Sequence, residues 1–343
     1  MPSQNSKNMK IISHEHIGFD DVLLMPQYNE FSRREVNLTT QLAGIQLKIP
    51  ILSANMDSIT GFEMALAMYK TGGLGILHRY YDLNKLETEL KQIPNIQLCI
   101  SVTLNQDADK TAKLVNDYPQ ILGVCVDVAH GHQKSVGELI KKYKQLLNKQ
   151  KIIIAGNIAT RDGAKFLLEA GAHIIKCGIG CGSLCSTRLN TGAGIPQVSA
   201  LLSVLEIARC YDNVSVIADG GCRTSGDITK CLALGASAVM LGSMLAGTKE
   251  SLGYETNTYR GMASRESNEA NGVKPLSVEG ISVSVPQKGS VTEVIENIIG
   301  NIKSGLTYSG CKDLKTFQEK AKLVRVSPLT FASETRIHNP NAV

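Results

Sequence analysis

Tryptophan is absent from this chain, and aromatic residues make up only 5% of its 343 positions. No basic run is interleaved with aromatics and no block of like charge occurs, so the marks of a nucleic-acid surface are missing. The formal net charge of +5 is mild, though its sign favours anionic substrates such as phosphates. No uninterrupted apolar stretch is long enough to span a bilayer. The polar opening "MPSQNSKNMK" has no apolar core for a signal peptide. The nine cysteines are an odd number and form no CxxC pair, which argues against a disulfide framework and for free thiols in a reducing compartment. Hydrophobic content of 43% with 20% charged residues argues against disorder over most of the length. The expectation is a soluble, cytoplasmic protein with no nucleic-acid or membrane partner.

What the chain does contain is a regular series of short β-branched runs, each followed by helical periodicity. Candidate strands are "IPILSA" at 49–54, "GLGILH" at 73–78, "QLCISV" at 97–102, "GVCVDV" at 123–128, "KIIIAG" at 151–156, "HIIKCGI" at 173–179, "VSVIAD" at 214–219 and "SAVMLG" at 237–242. They lack polar alternation, as strands buried on both faces do. Eight βα units imply an α/β chain folded as one (β/α)8 TIM barrel; a doubly wound sheet, the alternative, rarely has so many evenly spaced units. Asn55, Asp57, His78, Asp127, Asn157, Cys185, Asp219 and Ser243 follow or close these strands, at the barrel end that carries active sites. Singly, each also reads as a turn residue. The division expected is a polar lead-in at 1–47, the barrel core at 48–249, a mobile flap at 250–288, and C-terminal helices (near 290–304 and 312–322) with a tail at 289–343. The flap is rich in Ser, Asn, Glu and Gly with little periodicity and is expected to be poorly ordered without ligand.

Cys185 lies in "GIGCGSLCSTR", between glycines and a Ser-Thr-Arg triplet. A nucleophilic thiolate needs such an open, polar setting, whereas most free cysteines are small buried hydrophobes. Cys99, Cys125, Cys177 and Cys231 sit inside apolar runs and take that second reading. The later loops "ADGGCRTSGD" and "LGSMLAG" are glycine-rich and open helices, as anion sites do. They make Ser183, Gly221, Gly242 and Ser243 candidates for a phosphate, with Asp219 accepting from ribose hydroxyls; tight turns alone are the simpler reading of the glycines. His130 and His132 have no partners at metal-ligand spacing, so zinc is not expected there.

The segments "GFDDVLLMP", "SANMDSIT", "VDVAHGH", "GIGCGSLCSTR", "GAGIPQ", "ADGGCRTSGD", "VMLGSMLAGT" and "YRGMAS" resemble the IMP dehydrogenase/GMP reductase family in order and spacing, over almost the whole chain. The resemblance implies a covalent thioimidate between Cys185 and carbon 2 of a purine nucleotide, GMP or IMP, with NADPH or NAD as the nicotinamide partner. Family members are homotetramers. The dehydrogenase usually carries an inserted pair of regulatory modules and a flap Arg-Tyr pair that activates water; residues 79–96 leave no room for the modules, and "ASRESNEANGVKPLSV" has no Arg-Tyr. Asn55 within "ANMD", Cys222 within "DGGC", and "LHRYY" are reductase-like. "YRGMAS" and the terminal "ASETRIHNP" are closer to the dehydrogenase, and Cys181 stands where proline is usual.

Carried onto this sequence, the resemblance makes Cys185 the nucleophile. Thr187 would pair with a flap glutamate, for which Glu266 is the candidate because Arg265 stands at the expected position. Nucleotide contacts are implied at Asn55, Ser183, Asp219, Gly220, Gly221, Gly242, Ser243 and Tyr259, with the backbone of Gly261, Met262 and Ala263 at the purine edge. Asp127, Val128, Ala129 and Asn157 match the dinucleotide site, and Gly178, Gly180 and Cys185 a carbonyl site for potassium. The reading favoured is GMP reductase, converting GMP to IMP and ammonia with NADPH. The alternatives are an IMP dehydrogenase without regulatory modules, making XMP with NAD, and a nucleotide-binding regulator that has lost the chemistry.

Overall fold

The structure, a computed structural model, describes residues 15–274 and 277–334. Eight parallel strands close into a barrel: β1 (Ile51–Ser53), β2 (Leu74–Leu77), β3 (Leu98–Val102), β4 (Ile121–Asp127), β5 (Ile152–Ile158), β6 (Ile174–Cys177), β7 (Ser215–Asp219) and β8 (Ala238–Leu241). Each pairs with the next, and β8 returns to β1 through Val239, Met240 and Leu241 against Ile51, Leu52 and Ser53. The main outer helices are α1 (Phe62–Thr71), α2 (Leu83–Gln92), α3 (Ala108–Asp117), α4 (Lys134–Leu146), α5 (Arg161–Ala170), α6 (Gln197–Ala208), α7 (Ser225–Leu234) and α8 (Val291–Tyr308). All eight candidate strands are present, and the chain is a (β/α)8 TIM barrel. Among the described residues no helix is long and apolar enough to cross a membrane.

Local chemistry sets the helix limits. Asp82, Asp107 and Thr160 accept backbone N–H groups at the starts of α2, α3 and α5, satisfying donors that the first helical turn leaves free. At α7 the Thr224 hydroxyl and the Asp227 carboxylate form a reciprocal capping box. These caps hold the helix starts just beyond the strand ends, where the functional loops lie.

The lead-in does more than precede the barrel. Its strands Thr40–Leu42 and Ile45–Leu47 form a hairpin whose turn residues, Ala43 and Gly44, both have positive φ (48° and 88°), the geometry that matches strand twist. Thr40 donates to the Ser237 carbonyl at 2.7 Å, and Ser215 Oγ accepts from the Ala43 amide at 2.9 Å, so the hairpin covers the N-terminal end of the barrel. Leu42 and Leu47 pack there with Leu52, Leu74, Cys99, Ile152 and Ile174. Leu42 is fully buried, so Leu42→Ala should cost about 2–5 kcal/mol, read as a lower midpoint in chemical denaturation at unchanged slope. A change under about 0.5 kcal/mol would show that the hairpin is not part of the cooperative core.

The flap region also carries more regular structure than its composition implies. Thr258–Arg260 pairs antiparallel with Ser282–Ser284, and Arg265–Ala270 is helical. These elements are three to six residues long, too short for a periodic pattern to register in sequence. The tail "ASETRIHNP" lies largely outside the described residues, which end at Glu334.

Candidate active site

At the C-terminal end of the barrel a cleft of about 330 Å³ is lined by residues from most of the βα loops and from the flap. Its floor is an ion network centred on Lys176, whose side chain is 2% exposed. Lys176 projects from β6 between Asp127, at the end of β4, and Asp219, at the end of β7, donating to each at 3.2 Å. Asn157 at the end of β5 donates to Asp219 at 2.8 Å and to the Gly178 carbonyl at 2.8 Å, and Asn55 donates to Ser101 at 2.8 Å. Burial disfavours the Lys176 ammonium, but the two carboxylates outweigh burial and hold its pKa above the ordinary lysine range. Burial likewise pushes Asp127 up, and Lys176 with Arg79 more than reverses it, leaving the carboxyl below its usual value. The floor is therefore charged and fixed in position.

Over this floor runs the Cys185 loop. Gly178 has φ of 147°, and a Cβ there would lie 2.0 Å from the Asp219 carbonyl oxygen, so only glycine lets the loop pass that close to β7. Gly220 and Gly221, both at φ of 86°, turn the neighbouring loop along the same wall. Ser183 Oγ and Tyr259 Oη lie 3.3 Å apart beside Gly242, grouping hydroxyls with backbone amides as an anion site requires.

The thiols divide by environment. Cys99, Cys125, Cys177 and Cys231 are buried, and burial pushes Cys125 up to about 12. Cys181 Sγ contacts the Asp219 carbonyl at 3.2 Å, and its pKa too is raised by burial. Cys185 alone combines partial exposure with a hydroxyl partner, 3.1 Å from Thr187 Oγ1.

That hydroxyl reaches the flap. Thr187 Oγ1 donates to Glu279 Oε2 at 2.8 Å, forming a continuous thiol–hydroxyl–carboxylate chain. Backbone contacts hold Glu279 in place. Ser186 N donates to the Glu279 carbonyl at 3.0 Å, Ile281 N to Leu184 at 3.1 Å, and Glu279 N to Ala263 at 3.2 Å.

Of the site residues the family resemblance implies, all line this cleft except Glu266: Asn55, Asp127, Val128, Ala129, Asn157, Gly178, Gly180, Ser183, Cys185, Thr187, Asp219, Gly220, Gly221, Gly242, Ser243, Tyr259, Gly261, Met262 and Ala263; of the strand-end residues, Asp57 and His78 do not line it. Glu266 is exposed in the helix Arg265–Ala270. Its place beside Thr187 is taken by Glu279, because the chain runs through that helix and returns before it meets the Cys185 loop. Sequence reading also passed over Lys176, whose one signal is a charge inside the apolar run "HIIKCGI". It passed over Arg79 as well, which lines the cleft and faces Asp127 at 3.5 Å.

The IMP dehydrogenase / GMP reductase domain family matches residues 16–338. The chain is 36% identical to a GMP reductase of Vibrio parahaemolyticus over 93% of its own length and 97% of the relative's. It is 31% identical to an inosine-5'-monophosphate dehydrogenase of Aquifex aeolicus over 95% and 96% of the two chains. With a dehydrogenase of Borreliella burgdorferi the identity is 33%, over 92% and 95%. The Aquifex alignment runs over 472 positions and the Vibrio alignment over 338, so a block of the former has no counterpart here; the Borreliella alignment, at 386, has a smaller excess. With barrel, cleft thiol and loop glycines all in place, the chain belongs to the IMP dehydrogenase/GMP reductase family of oxidoreductases.

Proposed function

We propose that the protein is a GMP reductase, converting GMP to IMP and ammonia with NADPH. The observation that carries this reading is the Cys185–Thr187–Glu279 chain, with contacts of 3.1 and 2.8 Å. In the proposed reaction the Cys185 sulfur bonds to carbon 2 of the purine, and the thiol proton passes through Thr187 to Glu279. The same relay returns a proton to the 2-amino group, which leaves as ammonia, so the proton the thiol gives up is the one ammonia carries away. Sulfur remains bonded to carbon 2 as a thioimidate until hydride arrives there and the thiolate departs, leaving IMP. When bound, NADPH supplies that hydride. Small apolar Val128 and Ala129, beside Asp127 and Asn157, line the same cleft as Cys185. Apolar side chains next to a few placed polar groups suit the binding of a nicotinamide ring.

On the nucleotide side, Ser183, Gly221, Gly242, Ser243 and Tyr259 are assigned to the phosphate, Asp219 with Gly220 to the ribose, and Asn55 with the backbone of Gly261, Met262 and Ala263 to the purine. Asn157 and Lys176 hold Asp219 from behind, which supports its ribose role by fixing one carboxylate rotamer. We give a monovalent cation no step. Gly178, Gly180 and Cys185 stay the proposed carbonyl site for such an ion, with the Gly178 carbonyl also accepting from Asn157 at 2.8 Å.

Release of XMP needs an activated water, and 263–288 contains no Arg-Tyr pair. Incubation with GMP and NADPH is therefore expected to yield IMP and ammonia, and IMP with NAD to yield the covalent adduct with little XMP. Steady XMP formation faster than GMP reduction would overturn the reading in favour of a dehydrogenase without regulatory modules. Binding of GMP with neither reaction would leave only the regulator.

A further inference from the structure

We infer that Asp57 is a positioning residue for this reaction, acting on Glu279 through the flap; the inference rests on the role assigned to Glu279 above. Asp57 follows β1, its side chain is 4% exposed, and it does not line the cleft, although Ala54, Asn55 and Met56 do. Its carboxylate accepts from Arg260 Nε at 3.1 Å and Nη2 at 2.9 Å, from Ser267 Oγ at 2.8 Å and from Asn271 Nδ2 at 3.1 Å. All three donor residues belong to the flap. The backbone is clamped at the same point: Ser58 Oγ accepts from Arg260 N at 3.1 Å and lies 3.2 Å from the Arg260 carbonyl.

A buried carboxylate that accepts four hydrogen bonds from one segment is a strong anchor, since charged hydrogen bonds of bidentate geometry are both strong and directional. What it anchors leads straight to the relay. Gly261 N donates to the Ile281 carbonyl at 3.0 Å, and Ala263 accepts from Glu279 N at 3.2 Å. The strand Thr258–Arg260 pairs with Ser282–Ser284 on the far side. Residues 260–263 thus form a rail on which 279–281 is laid, and Asp57 pins that rail to the barrel. Without Asp57 the rail is free to shift, carrying Glu279, Tyr259 and the purine-facing backbone of 261–263 with it, whereas Asp219, Gly220, Gly221, Gly242 and Ser243, in the loops after β7 and β8, stay where they are.

The test uses the full-length enzyme with Asp57→Ala and Asp57→Asn. Misplacement of a reacting group by about 1 Å costs on the order of 100-fold, so kcat for GMP reduction should fall about 10- to 100-fold in Asp57→Ala, with Asp57→Asn between it and wild type. GMP affinity by calorimetry should fall by no more than about threefold, far less than kcat, because Ser183, Asp219, Gly220, Gly221, Gly242 and Ser243 lie off the rail and only Tyr259 and the purine-facing backbone of 261–263 move with it. Amide exchange should speed up in 258–264 and 277–284 and stay unchanged in β5. If Asp57→Ala does not fold, the paired variant Ser267→Ala with Asn271→Ala removes two of the donors and should show the same split at smaller amplitude. A folded variant with kcat within about twofold of wild type, or one losing GMP affinity in parallel with kcat, overturns the inference. Failure of the reductase reading is distinguishable, because it is seen in the wild type as no IMP from GMP, whereas failure here is seen in the variants as unchanged flap exchange.

Discussion

Cys185→Ala is expected to abolish turnover while leaving GMP binding within a few-fold of wild type. Cys185 is the one cysteine that lines the cleft with a hydroxyl partner, Thr187 at 3.1 Å. Of the phosphate and ribose positions assigned above only Ser183 shares the loop of Cys185, the rest coming from the loops after β7 and β8 and from the flap, so truncation of one thiol leaves them largely intact. Removing the nucleophile of a covalent mechanism costs on the order of 10⁵- to 10⁶-fold in kcat. Calorimetric titration with GMP beside steady-state assays gives both readings from one preparation. Near wild-type turnover in the alanine variant would remove Cys185 from the mechanism. Cys181→Ala is the control: its thiol is turned onto the Asp219 carbonyl and raised in pKa by burial, and its loss should spare the covalent step.

The second large effect belongs to Glu279. Glu279→Gln keeps the size and a hydrogen-bonding oxygen but cannot shuttle a proton, so GMP deamination should slow by about 100- to 10,000-fold, the range a general acid contributes. Glu266→Gln should change it by no more than about twofold, since Glu266 is an exposed residue of the helix Arg265–Ala270 and takes no part in the relay. Rapid-quench measurement of ammonia release against hydride transfer locates the defect. The Glu279 variant should stall before the thioimidate accumulates, whereas a slowed hydride step with normal ammonia release would assign Glu279 a different task. Equal losses in the Glu266 and Glu279 variants would mean that the Thr187–Glu279 contact is not the working one.

The contrast between those two glutamates shows where sequence reading ends. The eight strands were legible because continuous β-branched runs buried on both faces have few other folds open to them, and once counted they place Asn55, Asp127, Asn157 and Asp219 at one barrel end. The glycines of the Cys185 loop were legible for a similar reason: at Gly178 φ is positive and a Cβ would fall 2.0 Å from the Asp219 carbonyl oxygen, which leaves no other residue type possible. Lys176 was not legible as a site residue, because a lysine in a strand declares only that a partner exists. Asp127 and Asp219, 49 and 43 positions away, become its partners when the sheet closes.

By itself, then, the order of residues determined the barrel and brought Cys185 and most of the pocket wall to one rim, since these follow from local periodicity or from a conformation only one residue type permits. Tertiary structure alone decided which carboxylate serves Thr187, 92 residues from it, and that Asp57 anchors the flap from more than 200 residues upstream. Those choices depend on how far a chain of short strands and one short helix travels before it returns to the barrel rim. No periodic pattern records that distance, because elements of three to six residues are positioned by their long-range hydrogen bonds rather than by their own propensities.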